Sequence, residues 1–113
     1  MNGQEVYKFA VSSVTTRVRS ILEKNDLTID DVKRVLLHQA NMRINRSAVT
    51  KLGGGEDKFP HNMERFGNSS SATVPILLDE VVRRGELSQG DKLILCAFGA
   101  GMTSAACLIE YGR

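Results

Sequence analysis

The sequence predicts an α/β domain in which helices pack on a mixed sheet. Three segments carry apolar residues at helical spacing, and shorter continuous apolar runs of strand type lie between and after them. The last two runs adjoin each other, which favours an antiparallel pair, whereas the alternation of helix and strand favours a layered arrangement. At 113 residues the chain is long enough for one core, and we expect residues 1–113 to form one domain.

The first predicted helix runs from Glu5 to Lys24. Its apolar residues recur every three or four positions and form one core-facing stripe, which consists of Val6, Phe9, Ala10, Val14, Val18, Ile21 and Leu22. Thr28 stands three residues before Asp31, a spacing that is typical of a capping box and predicts a short helical turn. The apolar run that follows, "RVLLH", predicts a strand that ends at His38.

The second predicted helix has Asn41 as its N-cap and Gly53 as its C-terminal stop. One side of this helix is apolar and carries Met42, Ile44, Ala48, Val49 and Leu52. The opposite side is polar and cationic and carries Arg43, Arg46, Ser47, Thr50 and Lys51. A long polar connection follows, in which we expect at most one short strand, near residues 58–61.

The third predicted helix is capped between Ser70 and Thr73, tolerates Pro75 in its first turn and ends at Gly85. Two apolar runs around "GAGM" then predict an antiparallel hairpin whose strands are covered on both faces.

The two cysteines, Cys96 and Cys107, lie within the apolar runs of this hairpin. Free cysteine is among the residue types most often buried, so we expect both thiols in the core. Neither has a second cysteine or a histidine nearby at metal-ligand spacing, and the composition does not favour a disulfide.

The overall charge and hydropathy exclude several classes of protein. The net charge of +2 is too small to indicate nucleic-acid binding. No apolar stretch approaches the roughly 18 residues of a membrane-spanning helix, and the polar start lacks the hydrophobic segment of a signal peptide. We therefore expect a cytoplasmic protein that binds neither nucleic acid nor membrane.

Polar groups that are able to carry chemistry lie at the predicted ends of strands and helices. His38 and Asn41 follow the first strand, Asn68 precedes the third helix, and Gly99 begins the hairpin turn. Strand ends at one edge of an α/β sheet are where ligands bind. A histidine and an amide placed together there would donate two hydrogen bonds to one carbonyl oxygen and stabilise an enolate or oxyanion.

Position alone leaves other interpretations open for each of these groups. A single histidine at a strand end is more often structural, and an asparagine beside serines more often belongs to a loop or a helix cap. The cationic face of the second helix is either solvated surface or a docking site for an acidic partner. His61 has no evident companions and is interpreted as a loop residue.

Four segments together resemble one family. The motifs "HQANMRI", "RFGNSSSATVP", "GD" before an apolar strand and "AFGAGMTSA" occur in the order and spacing of the C-terminal half of β-ketoacyl-acyl carrier protein synthase III, and the opening "GQEVYKFAV" also resembles the start of that half. The resemblance covers nearly the whole chain. It implies a thiolase-like half-domain and a part in the decarboxylative condensation of acyl-CoA with malonyl-acyl carrier protein, which initiates fatty acid synthesis without a cofactor or metal.

The resemblance also implies roles for particular residues. The family's catalytic histidine and asparagine match His38 and Asn68. Positions near the bound substrate or CoA match Asn41, Gly99 and Ala100, the last of which stands where many members have glycine. The surface that docks the acidic carrier protein matches Arg43, Arg46 and Lys51.

In the family the nucleophilic cysteine belongs to the N-terminal half, which this sequence does not contain. We therefore expect the chain alone to catalyse no condensation, and we expect the full-length enzyme to form a homodimer. Two alternatives remain: a non-catalytic module that binds carrier protein or CoA, and the corresponding half of a related polyketide or alkylquinolone starter synthase. The primer acyl chain is not indicated, because its pocket lies mainly in the other half.

Overall fold

The computed structural model of the protein describes residues 3–38, 42–61, 73–99 and 103–112. Within these ranges, three α-helices and three strands follow in the order α1 (Gly3–Lys24), β1 (Arg34–Leu37), α2 (Met42–Leu52), α3 (Thr73–Arg83), β2 (Lys92–Gly99) and β3 (Thr103–Glu110). Two short 3₁₀ helices, Ile29–Asp31 and Glu56–Lys58, precede β1 and follow α2.

The strands form a mixed sheet in the order β1-β2-β3. β1 pairs with β2 in parallel, with Leu37 opposite Cys96, and β2 pairs with β3 antiparallel, from Lys92 opposite Glu110 to Gly99 opposite Thr103. The parallel pair requires a long crossover, which α2, α3 and their connections supply. The predicted α/β class and mixed sheet are confirmed.

One face of the sheet packs against α1 and α2. Alternate residues of β1 and β2 point to this face and meet the apolar stripe of α1, because side chains alternate along a strand and recur every three or four positions along a helix. The buried cluster consists of Val14, Val18, Leu22, Val32, Val35, Leu37, Ala48, Phe59, Ile94 and Cys96.

The other face packs against α3 over only part of its width. Leu36 of β1 is buried against Leu77 and Val81, with Leu95 of β2 packed at the margin of this cluster. The cover does not extend to the far half of the hairpin, where the three positions that share this face, Ala97, Ala105 and Cys107, are exposed.

The helix ends follow the sequence closely. Gly53 ends α2 with a φ of +80°, and its N–H donates to the carbonyl oxygen of Val49 at 2.9 Å. Gly85 follows α3 with a φ of +70°. Before β1, the Asp31 carboxylate accepts hydrogen bonds from the backbone N–H and the hydroxyl of Thr28, at 2.7 Å and 3.2 Å. These contacts hold the pKa of Asp31 below its ordinary value.

Three local predictions were wrong. Residues 58–61 form no strand, because Lys58 ends a 3₁₀ turn and its Nζ donates to the carbonyl oxygen of Val32, while Pro60 has no N–H for a sheet ladder. The hairpin strands are not covered on both faces, and Cys107 is exposed rather than buried, because α3 stops short of β3.

Across the described ranges, no helix is long and apolar enough to cross a membrane.

Candidate active site and basic groove

His38 lies at the carboxyl end of β1, as the sequence predicted. Its backbone N–H donates to the carbonyl oxygen of Cys96 at 3.0 Å, which extends the β1–β2 ladder by one residue. This hydrogen bond holds the backbone from which the side chain projects. The side chain is half-buried, and this burial lowers the pKa of the imidazole below its ordinary value of 6.5. A neutral imidazole at neutral pH has one N–H to donate and one nitrogen to accept.

Gly99 lies at the same edge of the sheet. Since Leu37 stands opposite Cys96 in the parallel pair, His38 is level with Ala97 and Gly99 is two residues further along β2, a rise of about 7 Å. Gly99 is the last residue of β2 and stands opposite Thr103. The structure thus brings His38 and the start of the hairpin turn together, as expected for strand ends in an α/β sheet.

Three other predicted site residues, Asn41, Asn68 and Ala100, lie outside the described residues. The structure does describe where α3 begins. Val74, in its first turn, lines an apolar cavity of about 250 Å³ together with Leu95, Cys96, Ala97, Ala105, Ala106 and Cys107. The start of α3, five residues after Asn68 in the sequence, is therefore over the carboxyl-terminal half of β2, on the open face of the sheet.

A second cavity, of about 300 Å³, lies between α1 and α2. It is lined by Tyr7, Lys8, Val11, Arg43, Ser47 and Lys51, and we call it the basic groove. Arg43, Ser47 and Lys51 are spaced four residues apart and therefore form one stripe on α2. Arg46 lies on the neighbouring stripe and is not among the described residues that line the groove.

Lys8 adds a third cation to the groove and was missed by the sequence analysis. It lies on the polar side of α1, and nothing in the periodicity of α1 alone indicates which part of α2 it approaches. Tyr7 was missed for the same reason. Only the packing of α1 against α2, through the cluster of Ala10, Val11 and Ile44, brings these residues to the cationic stripe.

Three contacts connect α1 and α2 along the groove. The hydroxyl groups of Tyr7 and Ser47 are hydrogen-bonded across the helix pair, and the Cζ atom of Arg43 lies 4.4 Å from the centroid of the Tyr7 ring. At the other end, Nη2 of Arg19 donates to the carbonyl oxygen of Lys51 at 2.8 Å.

Neither cysteine has the surroundings of a nucleophile. Cys96 is buried, and burial raises the pKa of its thiol to about 11, which disfavours the reactive thiolate. Cys107 is exposed but lies within β3 rather than at a helix N-terminus. Within the described part of the chain, no three His, Cys, Asp or Glu side chains are placed to hold a metal ion.

Solved structures with the same thiolase-like fold include two synthases that align with nearly the whole chain. β-Ketoacyl-acyl carrier protein synthase III from Thermus thermophilus matches with a TM-score of 0.93 and 41% sequence identity, over 99% of this chain and 35% of that one. The priming β-ketosynthase of the R1128 polyketide pathway matches with a TM-score of 0.90 and 35% identity, over 100% of this chain and 34% of that one. The described fold is therefore that of a thiolase-like domain.

The sequence comparisons define the family. The profile described as 3-oxoacyl-[acyl-carrier-protein (ACP)] synthase III C terminal matches residues 22–111, and the chain belongs to this family. A relative from Clostridium beijerinckii, β-ketoacyl-[acyl-carrier-protein] synthase III, is 48% identical over 111 residues, which are 98% of this chain and 34% of the relative. The chain thus spans about a third of the length of the relatives that it matches, and it corresponds to their C-terminal part.

Proposed function

We propose that this chain supplies the C-terminal catalytic part of a β-ketoacyl-acyl carrier protein synthase III, an acyltransferase that starts fatty acid synthesis by condensing acyl-CoA with malonyl-acyl carrier protein. The observation that carries the proposal is His38. It is half-buried at the carboxyl end of β1, is held by a backbone hydrogen bond to β2, and has a lowered pKa. This is the position and the protonation state that a neutral hydrogen-bond donor requires.

In the proposed reaction, His38 and Asn68 act on the malonyl thioester. As the carboxylate leaves as CO₂, the electron pair of the broken C–C bond passes into the thioester and forms an enolate. Its oxygen accepts one hydrogen bond from the His38 imidazole and one from the Asn68 amide, which stabilise the developing charge. The enolate carbon then attacks the acyl group carried by a cysteine of the remaining part of the enzyme, and the cysteine leaves as a thiolate.

Backbone groups of the hairpin turn assist the acyl-transfer step in this proposal. N–H groups at Gly99 and Ala100 would donate to the oxyanion of the tetrahedral intermediate, and Asn41 would lie near the bound CoA. The placement of Gly99 at the same sheet edge as His38 supports this assignment.

The basic groove is the proposed docking site for the acidic carrier protein. Arg43 and Lys51 line it together with Lys8, and Arg46 extends the positive surface along α2. Clustered cations attract an acidic partner and orient it on approach. The open face of the β2–β3 hairpin is, in the same proposal, covered by the remaining two thirds of the enzyme.

A chimaera tests the catalytic assignment. We would replace the matched third of the Clostridium beijerinckii synthase with this chain and measure the formation of the β-ketoacyl product from acetyl-CoA and malonyl-acyl carrier protein. His38→Ala and Asn68→Ala should each lower the rate by roughly 10²-fold or more, as the loss of an oxyanion donor does. His61→Ala, which removes an exposed histidine, is the matched control and should leave the rate unchanged within about twofold.

Full activity of the His38→Ala and Asn68→Ala chimaeras would refute the assigned roles. The 113-residue chain by itself should give no product, because it contributes neither the nucleophile nor the other side of the site. Turnover by the isolated chain would contradict the proposal.

A second candidate is the corresponding part of a polyketide priming synthase, which the match to the R1128 enzyme favours. Primer preference would not distinguish the two candidates in the chimaera, because the primer pocket lies mainly in the part that the Clostridium beijerinckii synthase supplies. Carrier-protein preference would distinguish them, because the basic groove lies on this chain. Faster condensation with a polyketide carrier protein than with a fatty acid carrier protein would favour the second candidate.

A further inference from the structure

We propose that Tyr7 is a positioning residue that holds Arg43 in place for the carrier protein. The observation is a three-residue contact across two helices, in which the Tyr7 ring lies against the Arg43 guanidinium while its hydroxyl is hydrogen-bonded to Ser47. This inference rests on the proposed docking role of the basic groove. It adds a residue of α1, outside the cationic helix, to the determinants of that docking.

The geometry favours positioning over simple packing. Arg43 and Ser47 are one helical turn apart on α2, so a side chain from α1 that contacts both is fixed at two points. Arg43 is exposed, and an exposed arginine samples many rotamers unless a neighbour restricts it. A ring centroid 4.4 Å from Cζ is within the range of a cation–π contact.

This contact also leaves the arginine chemically competent. A ring stacked on a guanidinium occupies its face, whereas the N–H donors lie in its plane and point away from the ring. The contact with Tyr7 through the face of the guanidinium therefore does not itself use the in-plane N–H donors of Arg43, which are the groups that bind a carboxylate or a phosphate. Lys8 and Lys51, on either side of the same groove, add charge at the place where such an anion would lie.

The ring and the hydroxyl of Tyr7 make separate contacts, which two substitutions can distinguish. A phenylalanine at this position would keep the ring but lose the bond to Ser47, and the ring would then be fixed only by packing against the neighbouring cluster of Ala10, Val11 and Ile44. A leucine would keep the apolar packing but lose the cation–π contact. The two substitutions therefore separate the ring from the hydroxyl without opening a large cavity.

The test uses the 113-residue chain and malonyl-acyl carrier protein as the probe, with the dissociation constant measured by calorimetry at low ionic strength. We expect Tyr7→Leu to weaken binding by roughly 2- to 5-fold, the range of an exposed cation–π contact. Tyr7→Phe and Ser47→Ala should each weaken it less. Tyr111→Phe, which removes the hydroxyl of the other tyrosine, is the matched control and should leave binding unchanged.

A double-mutant cycle separates positioning from a general loss of structure. If Tyr7 acts through Arg43, Tyr7→Leu should have no further effect once Arg43→Gln has removed the cation. At this distance the ring current of Tyr7 should displace the Nε–H resonance of Arg43. The resonance should return toward the position of a free arginine in Tyr7→Leu and stay displaced in Tyr7→Phe. Equal losses from Tyr7→Leu in both backgrounds would overturn the inference.

The outcomes also distinguish this inference from the proposed function. If Arg43→Gln leaves binding of the carrier protein unchanged, the docking role of the groove is wrong. If Arg43→Gln weakens binding and Tyr7→Leu does not, docking stands and the positioning role of Tyr7 is wrong.

Discussion

Cys96 and Cys107 lie on neighbouring strands, and each is one register position from the other's partner: Cys96 stands opposite Ala106, and Cys107 stands opposite Leu95. Because side chains alternate along a strand, this offset of one position makes the two thiols point to opposite faces of the sheet. Cys96 joins the cluster beneath α1 and is 1% exposed, whereas Cys107 lies on the face that α3 leaves uncovered. The exposure of the two thiols therefore differs because the two faces of the hairpin are covered to different extents.

The difference shows what an apolar strand sequence leaves undetermined. Both strands consist almost entirely of small or apolar residues, so the pattern predicts burial of both faces. Within the described residues one face is covered by this chain and part of the other is not. An apolar face of this kind is typical of a surface that another domain covers, which agrees with a chain that spans 34% of its relative's length.

The largest expected difference between the faces is in thiol reactivity. In the folded chain, Cys107 should react with an aromatic disulfide reagent at once, while Cys96 should react only after the core opens. For a domain of ordinary stability, that protection slows the reaction by roughly 10³-fold or more. The rates are measured by absorbance, with mass spectrometry to locate the label, and Cys107→Ser should remove the fast phase.

Equal rates for the two thiols would show that the two faces are equally accessible. In the chimaera with the remaining part of the Clostridium beijerinckii enzyme, the fast reaction at Cys107 should disappear. Its persistence would show that this part of the sheet stays open in the complete enzyme.

The next expected difference is in packing energy. Ile94 is fully buried on the α1 face, and Ile94→Ala should lower the free energy of unfolding by about 2–5 kcal/mol through lost burial and a residual cavity. Ile109→Ala makes the same chemical change on the other face, where the side chain is only partly buried, and should cost less than half as much. Urea denaturation measures both, and equal costs would contradict the proposed difference between the faces.

Much of the fold was predictable from local chemistry. Short-range rules of periodicity and backbone conformation account for the stripe of α1, the stop at Gly53 and the position of Gly85 just after α3. The antiparallel hairpin also follows, because two adjoining apolar runs have few other ways to pair. The expected strand near residues 58–61 failed, because the contact between Lys58 and the carbonyl of Val32 is long-range and has no local signature.

The candidate sites divide in the same way. His38 was found because it ends an apolar run, and Arg43 and Lys51 because they share a helix face. Lys8 and Tyr7 were missed, because their approach to α2 depends on how two helices pack. The roles proposed for Asn41, Asn68 and Ala100 remain predictions, since these residues lie outside the described ranges.

Alkaline pH offers a smaller test of the covered face. Between pH 9 and 11 the Cys96 thiol should lose its proton in the unfolded chain but keep it in the folded chain, because burial raises its folded pKa from 9.0 to about 11. The unfolded state then binds fewer protons, so stability falls as the pH rises, by at most about 1.4 kcal/mol per pH unit. Cys96→Ala should lose this part of the slope.

Both chains in this experiment carry Cys107→Ser, so that oxidation of the exposed thiol does not interfere. The measurement is urea denaturation at several pH values, and the readout is the difference in free energy of unfolding between the two chains. A difference that stays constant from pH 8 to 11 would show that Cys96 is more accessible to water than the covered face implies.

The smallest expected effect concerns His38, at the carboxyl end of β1. Burial lowers the folded pKa of His38 below 6.5, so the unfolded chain takes up a proton more readily as the pH falls through this value. Stability should therefore fall below pH 6.5, well above the window below pH 3.8 in which the contribution of Asp31 is lost. Thermal unfolding between pH 7.5 and 5 should show a shallower decline for His38→Gln than for the parent.

His61→Gln removes the other histidine, at an exposed position, and is the matched control for the substitution itself. If His38→Gln and the parent gave the same profile, the imidazole would be better solvated than its position implies, and its proposed role as a neutral donor would lose its support. In the chimaera the remaining part of the enzyme should bury this edge further. The His38 imidazole should then titrate at a still lower pH by NMR, because added burial penalises the charged form.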